Sequence, residues 1–277
     1  MNDRGNANTP LPFSRFCDVR GMFSSISGDY DRLNRILSLG LDRGWRKRLA
    51  RRLHELLKRK DLSDARVLDV CCGTGALSRL CVDAIKENAQ FCGLDFSYPM
   101  MAKSKLRKAP SSDCFDFVQA DALGMPFADA SFDMAICAFG LRNLTNRKAG
   151  LDEMLRVLRP GGHVLLLEFS QPSQPLLHKC FEWYLSGVLS RLGNWMSQSH
   201  AYDYLSHTVQ DFARPAEVAG WLRDRGFENV QWQCLTFGAV VLYEGSRRIP
   251  ARETKNAMQN KVAEKNENNA KDALATV

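Results

Sequence analysis

The chain has 277 residues, 45% of them hydrophobic and 25% charged, with a formal net charge of +7. That composition excludes a disordered or collagen-like protein, and the length allows one large α/β domain or two small ones, either with a real core. The longest apolar stretches, His163–Phe169 and Phe237–Tyr243, fall far short of the ~20 residues a membrane span needs, and residues 1–25 lack the apolar core of a secretory leader, which predicts a soluble chain retained in the cytoplasm.

Basic charge is regional. Residues 1–60 hold 14 Lys and Arg against 6 Asp and Glu, whereas the remaining 217 sum to about −1. Asp29–Lys60 reads as two helices broken near Gly40–Gly44, and in the second Trp45, Leu49, Leu53, Leu56 and Leu57 recur at the spacing of a helical stripe. Three readings stay open for this basic helix: a core-facing stripe with a solvated basic back, an amphipathic helix on anionic lipid, or a nucleic-acid contact. No nucleic-acid motif accompanies the patch. Trp45 and Arg46–Arg52, with Trp183–Tyr184 and Trp195, are the residues expected to face lipid or a lipid-borne tail if the second reading holds.

Strands and helices then alternate. Arg66–Cys72, Gln90–Phe96, Phe115–Asp121 and Phe132–Phe139 read as strands, with helices at Gly75–Glu87 and Pro99–Lys108. Arg147–Leu158 is a helix stopped by Pro160-Gly161-Gly162, and the strand His163–Phe169 follows. After a helical segment rich in Trp and Tyr at 171–214, Pro215–Arg225 is a helix closed by Gly226, and Asn229–Leu235 pairs antiparallel with Ala239–Glu244. Alternation of this kind predicts an α/β fold with a mostly parallel sheet and right-handed crossovers. The expected organisation is a basic helical region over 1–60, one α/β domain over 61–249 with an insertion at 171–214, and a polar, disordered tail over 250–277. Nine scattered cysteines without a C-x-x-C pair predict buried, reduced thiols, and five histidines without an H-x-x-x-H or H-E-x-x-H pattern predict no metal site.

The most informative local feature is V-L-D-V-C-C-G-T-G, Val67 to Gly75: a buried strand running into Gly73-Thr74-Gly75 before a helix. Glycines there let a ligand approach the backbone, and the helix start offers free N–H groups. The third glycine of a dinucleotide fingerprint is absent, since Ser78 occupies its place, so no pyrophosphate turn is completed. Asp95 ends the next strand, where a carboxylate can accept both ribose hydroxyls, and Asp121 ends the third, where an acceptor can take an adenine amine; the competing reading is that each Asp caps the turn it begins. Three ordered strand ends favour an adenosine without pyrophosphate, as in S-adenosylmethionine.

The sequence resembles the ubiquinone/menaquinone biosynthesis C-methyltransferases, within the class I S-adenosylmethionine-dependent methyltransferases. The wider class is carried by D-V-C-C-G-T-G, the acid at Asp95 and R-V-L-R-P-G-G at Arg156–Gly162. The narrower family is carried by Y-D-R-L-N-R-I-L-S-L-G at Tyr30–Gly40, L-D-R-G-W-R at Leu41–Arg46, F-G-L-R-N at Phe139–Asn143 and L-E-F-S-Q-P at Leu167–Pro172. Weaker echoes are A-Y-D-Y-L at Ala201–Leu205 and R-G-F at Arg225–Phe227, and the whole match covers roughly residues 13 to 247. The resemblance implies a Rossmann-like fold with a seven-stranded, mostly parallel sheet and an antiparallel terminal strand, with helices on both faces. It also implies that Asp69, Gly73, Thr74, Gly75, Asp95, Asp121, Ala122 and the position of Ala138 meet the cofactor. This chain departs from the family at Ala138, where a serine is usual, and at Ala76, where an aspartate usually follows the G-T-G turn.

The implied reaction moves a methyl group from S-adenosylmethionine, without a metal, to a ring carbon of a polyprenylated quinol. Ring carbon becomes nucleophilic only when a neighbouring hydroxyl, with a phenol-like pKa of ~10, loses its proton. Resemblance places Arg142 and Asn143 at the quinol, and since an arginine with a pKa above ~12 is no proton acceptor, Arg142 is assigned to stabilising the phenolate. Asn143 is expected to orient a ring oxygen and Tyr30 to hydrogen-bond the quinol, with His200, His207 or Asp203 relaying the proton. The implied partners are the quinol and, peripherally, the inner membrane face, with no nucleic acid; a homodimer is compatible. The alternatives are a methyltransferase of the same fold acting on another aromatic or isoprenoid molecule, a non-catalytic cofactor-binding scaffold, and an NAD or nucleotide-sugar enzyme, which Ser78 disfavours.

Overall fold

Five apolar runs become the parallel strands of one twisted sheet. The structure, a computed structural model, describes residues 30–59, 64–85, 89–104, 114–184, 187 and 208–250. Two helices come first, α1 (Tyr30–Leu37) and α2 (Asp42–Arg59). The alternating part follows as β1 (Ala65–Val70), α3 (Ala76–Ile85), β2 (Ala89–Asp95), α4 (Tyr98–Ala102), β3 (Phe115–Gln119), β4 (Phe132–Ala138), α5 (Arg147–Val157) and β5 (Leu158–Phe169). After α6 (Pro175–Trp183), α7 (Pro215–Asp224) leads into the hairpin of β6 (Phe227–Leu235) and β7 (Val240–Arg247).

The strand order is β3-β2-β1-β4-β5-β7-β6, with β1 to β5 parallel and β7 antiparallel to both its neighbours. This is the expected α/β architecture with an antiparallel terminal strand. Period-two alternation assigns the faces. Val67, Met134, Ile136, Leu165 and Leu167 point to the side covered by α2 and α3, where Leu49, Leu53, Leu77 and Cys81 are buried. Their neighbours Leu68, Ala135, Cys137, Val164 and Leu166 point to the side covered by α5 and α7, against Leu151, Met154, Val218 and Leu222. Burial on both faces explains why these strands read as continuous apolar runs. Chain order reverses between β1 and β4, and in open α/β sheets ligands bind outside the strand carboxyl ends at such a switch point.

The apolar stripe of the basic helix faces the core. It packs on α3 and β5, with Trp45 and Arg46 buried. Part of its basic back is tied to the sheet: Arg48 Nε donates to Gln233 Oε1 at 3.0 Å, and Arg52 donates to both Glu244 oxygens at 2.7 and 3.0 Å.

Several boundaries differ from expectation for local reasons. The break between α1 and α2 lies at Gly40, with φ 78°, whereas Gly44 sits inside α2. Strand β5 starts directly at Leu158 and absorbs Pro160-Gly161-Gly162 through a register shift opposite Phe132 and Met134, rather than starting at His163. The eight described cysteines are free thiols, but Cys180 and Cys234 are exposed rather than buried. No helix among the described residues is long and apolar enough to cross a membrane.

Candidate active site

The carboxyl ends of β1, β2 and β4 converge on a small cavity of about 50 Å³, bordered by Gly73, Asp95, Met100, Ala138, Phe139 and Asn143. The backbone is left-handed at Cys71, Gly73 and Gly75, with φ of 58°, 56° and 74°, and again at Phe139, with φ 62°. Left-handed non-glycine residues are costly and collect at functional sites. Gly140 is required by close approach: a Cβ there would lie 2.6 Å from Cys71 Cβ and 2.8 Å from Cys137 Sγ.

Asp95 anchors the turn. Gly73 N and Ser97 N each donate to one of its carboxylate oxygens at 2.8 Å. Burial raises its pKa, and the backbone N–H donors oppose that rise.

A second cavity, about 180 Å³ and mainly apolar, lies beyond Phe139. Trp45, Phe139, Phe169, Phe181 and Tyr184 line it together with Arg46 and Arg142. The Phe139 and Phe169 rings sit 4.7 Å apart, both within 6.1 Å of Trp45, whose Nε1 donates to Thr236 Oγ1 at 2.8 Å. Arg142 is buried, with its guanidinium 5.1 Å from the Phe169 ring centroid, and its Nη1 donates to Phe139 O at 2.8 Å and to Glu168 Oε1 at 2.6 Å. Glu168 is fully buried and also accepts the backbone N–H of Arg142 and of Phe169, at 3.1 and 2.9 Å.

The residues expected at the site fall into groups. Gly73, Asp95, Ala138 and Asn143 border the strand-end cavity, whereas Thr74 and Gly75 face a third, basic cavity beside α1. Arg142 and Asn143 are consecutive in a 3-10 turn yet border different cavities, the apolar one and the strand-end one. Asp69 borders none of these: it is buried in β1 and accepts from the Ser78 hydroxyl, so the residue replacing the third glycine ties α3 to the sheet. Burial raises the Asp69 carboxyl to about 7, against the Ser78 hydrogen bond. Asp121 Oδ1 accepts from Leu123 N at 2.9 Å, a turn cap, and Ala122 is buried in the core. Tyr30 opens α1, while His200, Asp203, His207 and Trp195 lie outside the described residues.

Sequence reasoning assigned no role to Glu168, Phe139 or Phe169, and singled out Trp45 without its two aromatic partners. Glu168 carried a signal, being the one acid in the run H-V-L-L-L-E-F, since a carboxylate in a buried strand requires a partner.

The ubiE/COQ5 methyltransferase family model matches residues 14–247. A demethylmenaquinone methyltransferase of Deinococcus radiodurans is 40% identical over 234 residues, which is 83% of this chain and 92% of the relative. A ubiquinone/menaquinone biosynthesis C-methyltransferase UbiE of Syntrophotalea carbinolica is 39% identical, covering 84% and 95%. Among solved structures, the methyltransferase bound to the Haloferax volcanii Trm112 activator aligns with a TM-score of 0.56 at 19% identity, over 82% of this chain and 97% of that one. A SAM-dependent methyltransferase of Thermotoga maritima aligns at 0.52 and 17%, over 82% and 99%.

Proposed function

This chain belongs to the ubiE/COQ5 methyltransferase family, and on that premise we propose that it transfers a methyl group from S-adenosylmethionine to a ring carbon of a polyprenylated quinol, a demethylmenaquinol or 2-polyprenyl-6-methoxy-1,4-benzoquinol, in quinone biosynthesis. The observation that carries the reading is Phe139, one side chain bordering both the strand-end cavity and the apolar cavity. Two compartments sharing a single wall suit a reaction between a polar nucleoside and an apolar ring.

The donor set fits the nucleoside. The Asp95 carboxylate takes the backbone N–H groups of Gly73, Ser97 and Phe96, which leaves about one of its roughly four lone-pair sites for a ribose hydroxyl. The left-handed turn at Gly73 brings backbone close to the cavity without a side chain in the way. When bound, S-adenosylmethionine supplies an electrophilic methyl group on a sulfonium.

What remains for the chain is alignment, exclusion of water and management of one proton. Trp45, Phe139 and Phe169 form the dry aromatic wall against which the ring packs. Arg142 presents a guanidinium to the apolar cavity, where it stabilises phenolate charge, and Glu168 holds that guanidinium in place. Asn143, on the strand-end side, orients the reacting face at the junction of the two compartments. Tyr30 is the proposed hydrogen-bond partner of the quinol, and the proton leaves through His200, His207 or Asp203.

The prenyl tail stays in the bilayer, since each methylene withdrawn costs ~0.8 kcal/mol. The enzyme therefore works at the cytoplasmic membrane face. Leu39, Trp183 and Phe237, exposed at 75%, 66% and 80% on or beside the lining of the apolar cavity, support that reading.

Incubation with radiolabelled S-adenosylmethionine and a panel of chemically reduced demethylated quinols tests the function. Label is expected on the ring of a benzoquinol or a naphthoquinol. Protein that binds S-adenosylmethionine yet labels no quinol would overturn the proposal.

A further inference from the structure

A cavity of about 340 Å³ lies between α1, α2, the start of α3 and Lys103. Arg32, Arg35, Arg43, Arg79 and Lys103 border it, all exposed, and none makes an ion pair or side-chain hydrogen bond among the described residues. The two bordering acids are already engaged: Asp31 accepts from Thr74 Oγ1 at 2.8 Å, and Asp42 takes Arg46 and the Ser38 hydroxyl. Counting Arg46, six cations face two carboxylates. Such mutual repulsion is relieved by a multivalent anion, and guanidinium forks match phosphate oxygens.

Position decides which phosphate. Asp42 and Arg46 also line the apolar cavity, so the two hollows share a wall. Leu39 and Leu41 line the apolar cavity and are exposed, while Trp183 and Phe237 adjoin its residues Tyr184 and Thr236. A basic hollow beside an exposed apolar rim is the layout of a surface lying on an anionic bilayer, with charge at headgroup level and apolar side chains below it. A nucleic-acid backbone would satisfy the cations and leave the apolar rim in water.

We propose that this cavity seats the phosphate of an anionic phospholipid headgroup, docking the enzyme while the quinol ring enters the neighbouring apolar cavity. The inference rests on the reading of a lipid-borne substrate, but docking needs no turnover.

Co-sedimentation of the full chain with phosphatidylcholine vesicles, with and without phosphatidylglycerol and free of quinol, tests it. Wild type should require phosphatidylglycerol. The Arg35→Gln/Arg79→Gln variant should bind roughly thirtyfold more weakly, at one cavity cation's worth of attraction per substitution. Arg51→Gln/Lys58→Gln, an equal charge change at exposed positions of α2 outside the cavity, should lose only a few-fold. Equal losses in both variants would reduce the effect to diffuse charge and overturn the site. Saturable calorimetric binding of inorganic phosphate, with vesicle binding untouched by the cavity variant, would overturn the lipid assignment in favour of a soluble phosphate. Weakened S-adenosylmethionine binding with unchanged vesicle binding would overturn it in favour of the cofactor's carboxylate. Failure to methylate any quinol would leave the vesicle result standing, so the two readings fail separately.

Discussion

Arg142 and Glu168 form an ion pair, Nη1 to Oε1 at 2.6 Å, with the arginine 5% exposed and the glutamate 0%. Removing one partner of a buried pair strands the other charge, at a cost of about 3–5 kcal/mol, whereas replacing both is far milder. Glu168→Gln is therefore expected to lose that much stability in urea unfolding. Arg142→Met/Glu168→Met should regain most of it, while methyl transfer stays lost. Full activity in the folded double variant would show that the guanidinium acts only as scaffold.

Gly140 tests the strand-end cavity independently. Its missing Cβ is what keeps Cys71 and Cys137 apart from the β4 turn, so Gly140→Ala should cost about 1–3 kcal/mol by overpacking and weaken S-adenosylmethionine binding. Cys71 has a φ of 58°, a conformation glycine adopts without strain. Cys71→Gly also removes the nearest atom while leaving Cys137 Sγ at 2.8 Å, so combining it with Gly140→Ala should restore part of the binding measured by calorimetry. Absence of rescue would place the damage elsewhere in the turn.

Much of this was legible because the relevant signals are local. Continuous apolar runs and G-T-G punctuation marked the parallel strands, and the fingerprint lacking its third glycine pointed away from a dinucleotide. Legibility failed where meaning depends on long-range contact. The resemblance implies Asp69 at the cofactor, whereas the engagement of its carboxylate by Ser78 emerges only from packing of α3 on β1. Arg142 and Asn143 are adjacent in sequence, and only the turn at Leu141–Asn143 divides them between cavities. The partners of Arg48 and Arg52 could not be read locally, because their acceptors, Gln233 and Glu244, lie 185 and 192 residues away in the chain.

Glu244 makes stability depend on acid. Burial pushes its carboxyl upward, but His163 and Arg52 outweigh this and bring it to about 2. A folded pKa below the unfolded value of about 4.3 contributes stability that is present above pH ~4.3 and lost as pH falls toward 2. Glu244→Gln should melt lower than wild type at neutral pH, by on the order of 1–3 kcal/mol, and the gap should close between pH ~4.3 and 2. A gap unchanged across that window would mean that the Arg52 contact stabilises through packing rather than charge.

Asp69 predicts the opposite slope. Its folded carboxyl sits at about 7, raised by burial above an unfolded value of about 3.9, so the folded state holds a proton that the unfolded chain releases. Stability is then greatest below pH ~3.9 with respect to this group, declines through the interval up to about 7, and is flat beyond it. Asp69→Asn keeps an oxygen that the Ser78 hydroxyl can donate to and removes the titration. Between pH ~5 and ~8 wild type should lose on the order of 2 kcal/mol more than Asp69→Asn in denaturant melts, given about 1.4 kcal/mol per pKa unit. Parallel pH profiles for the two proteins would show that Asp69 is ionised in the fold and that the Ser78 hydrogen bond, not protonation, resolves its burial.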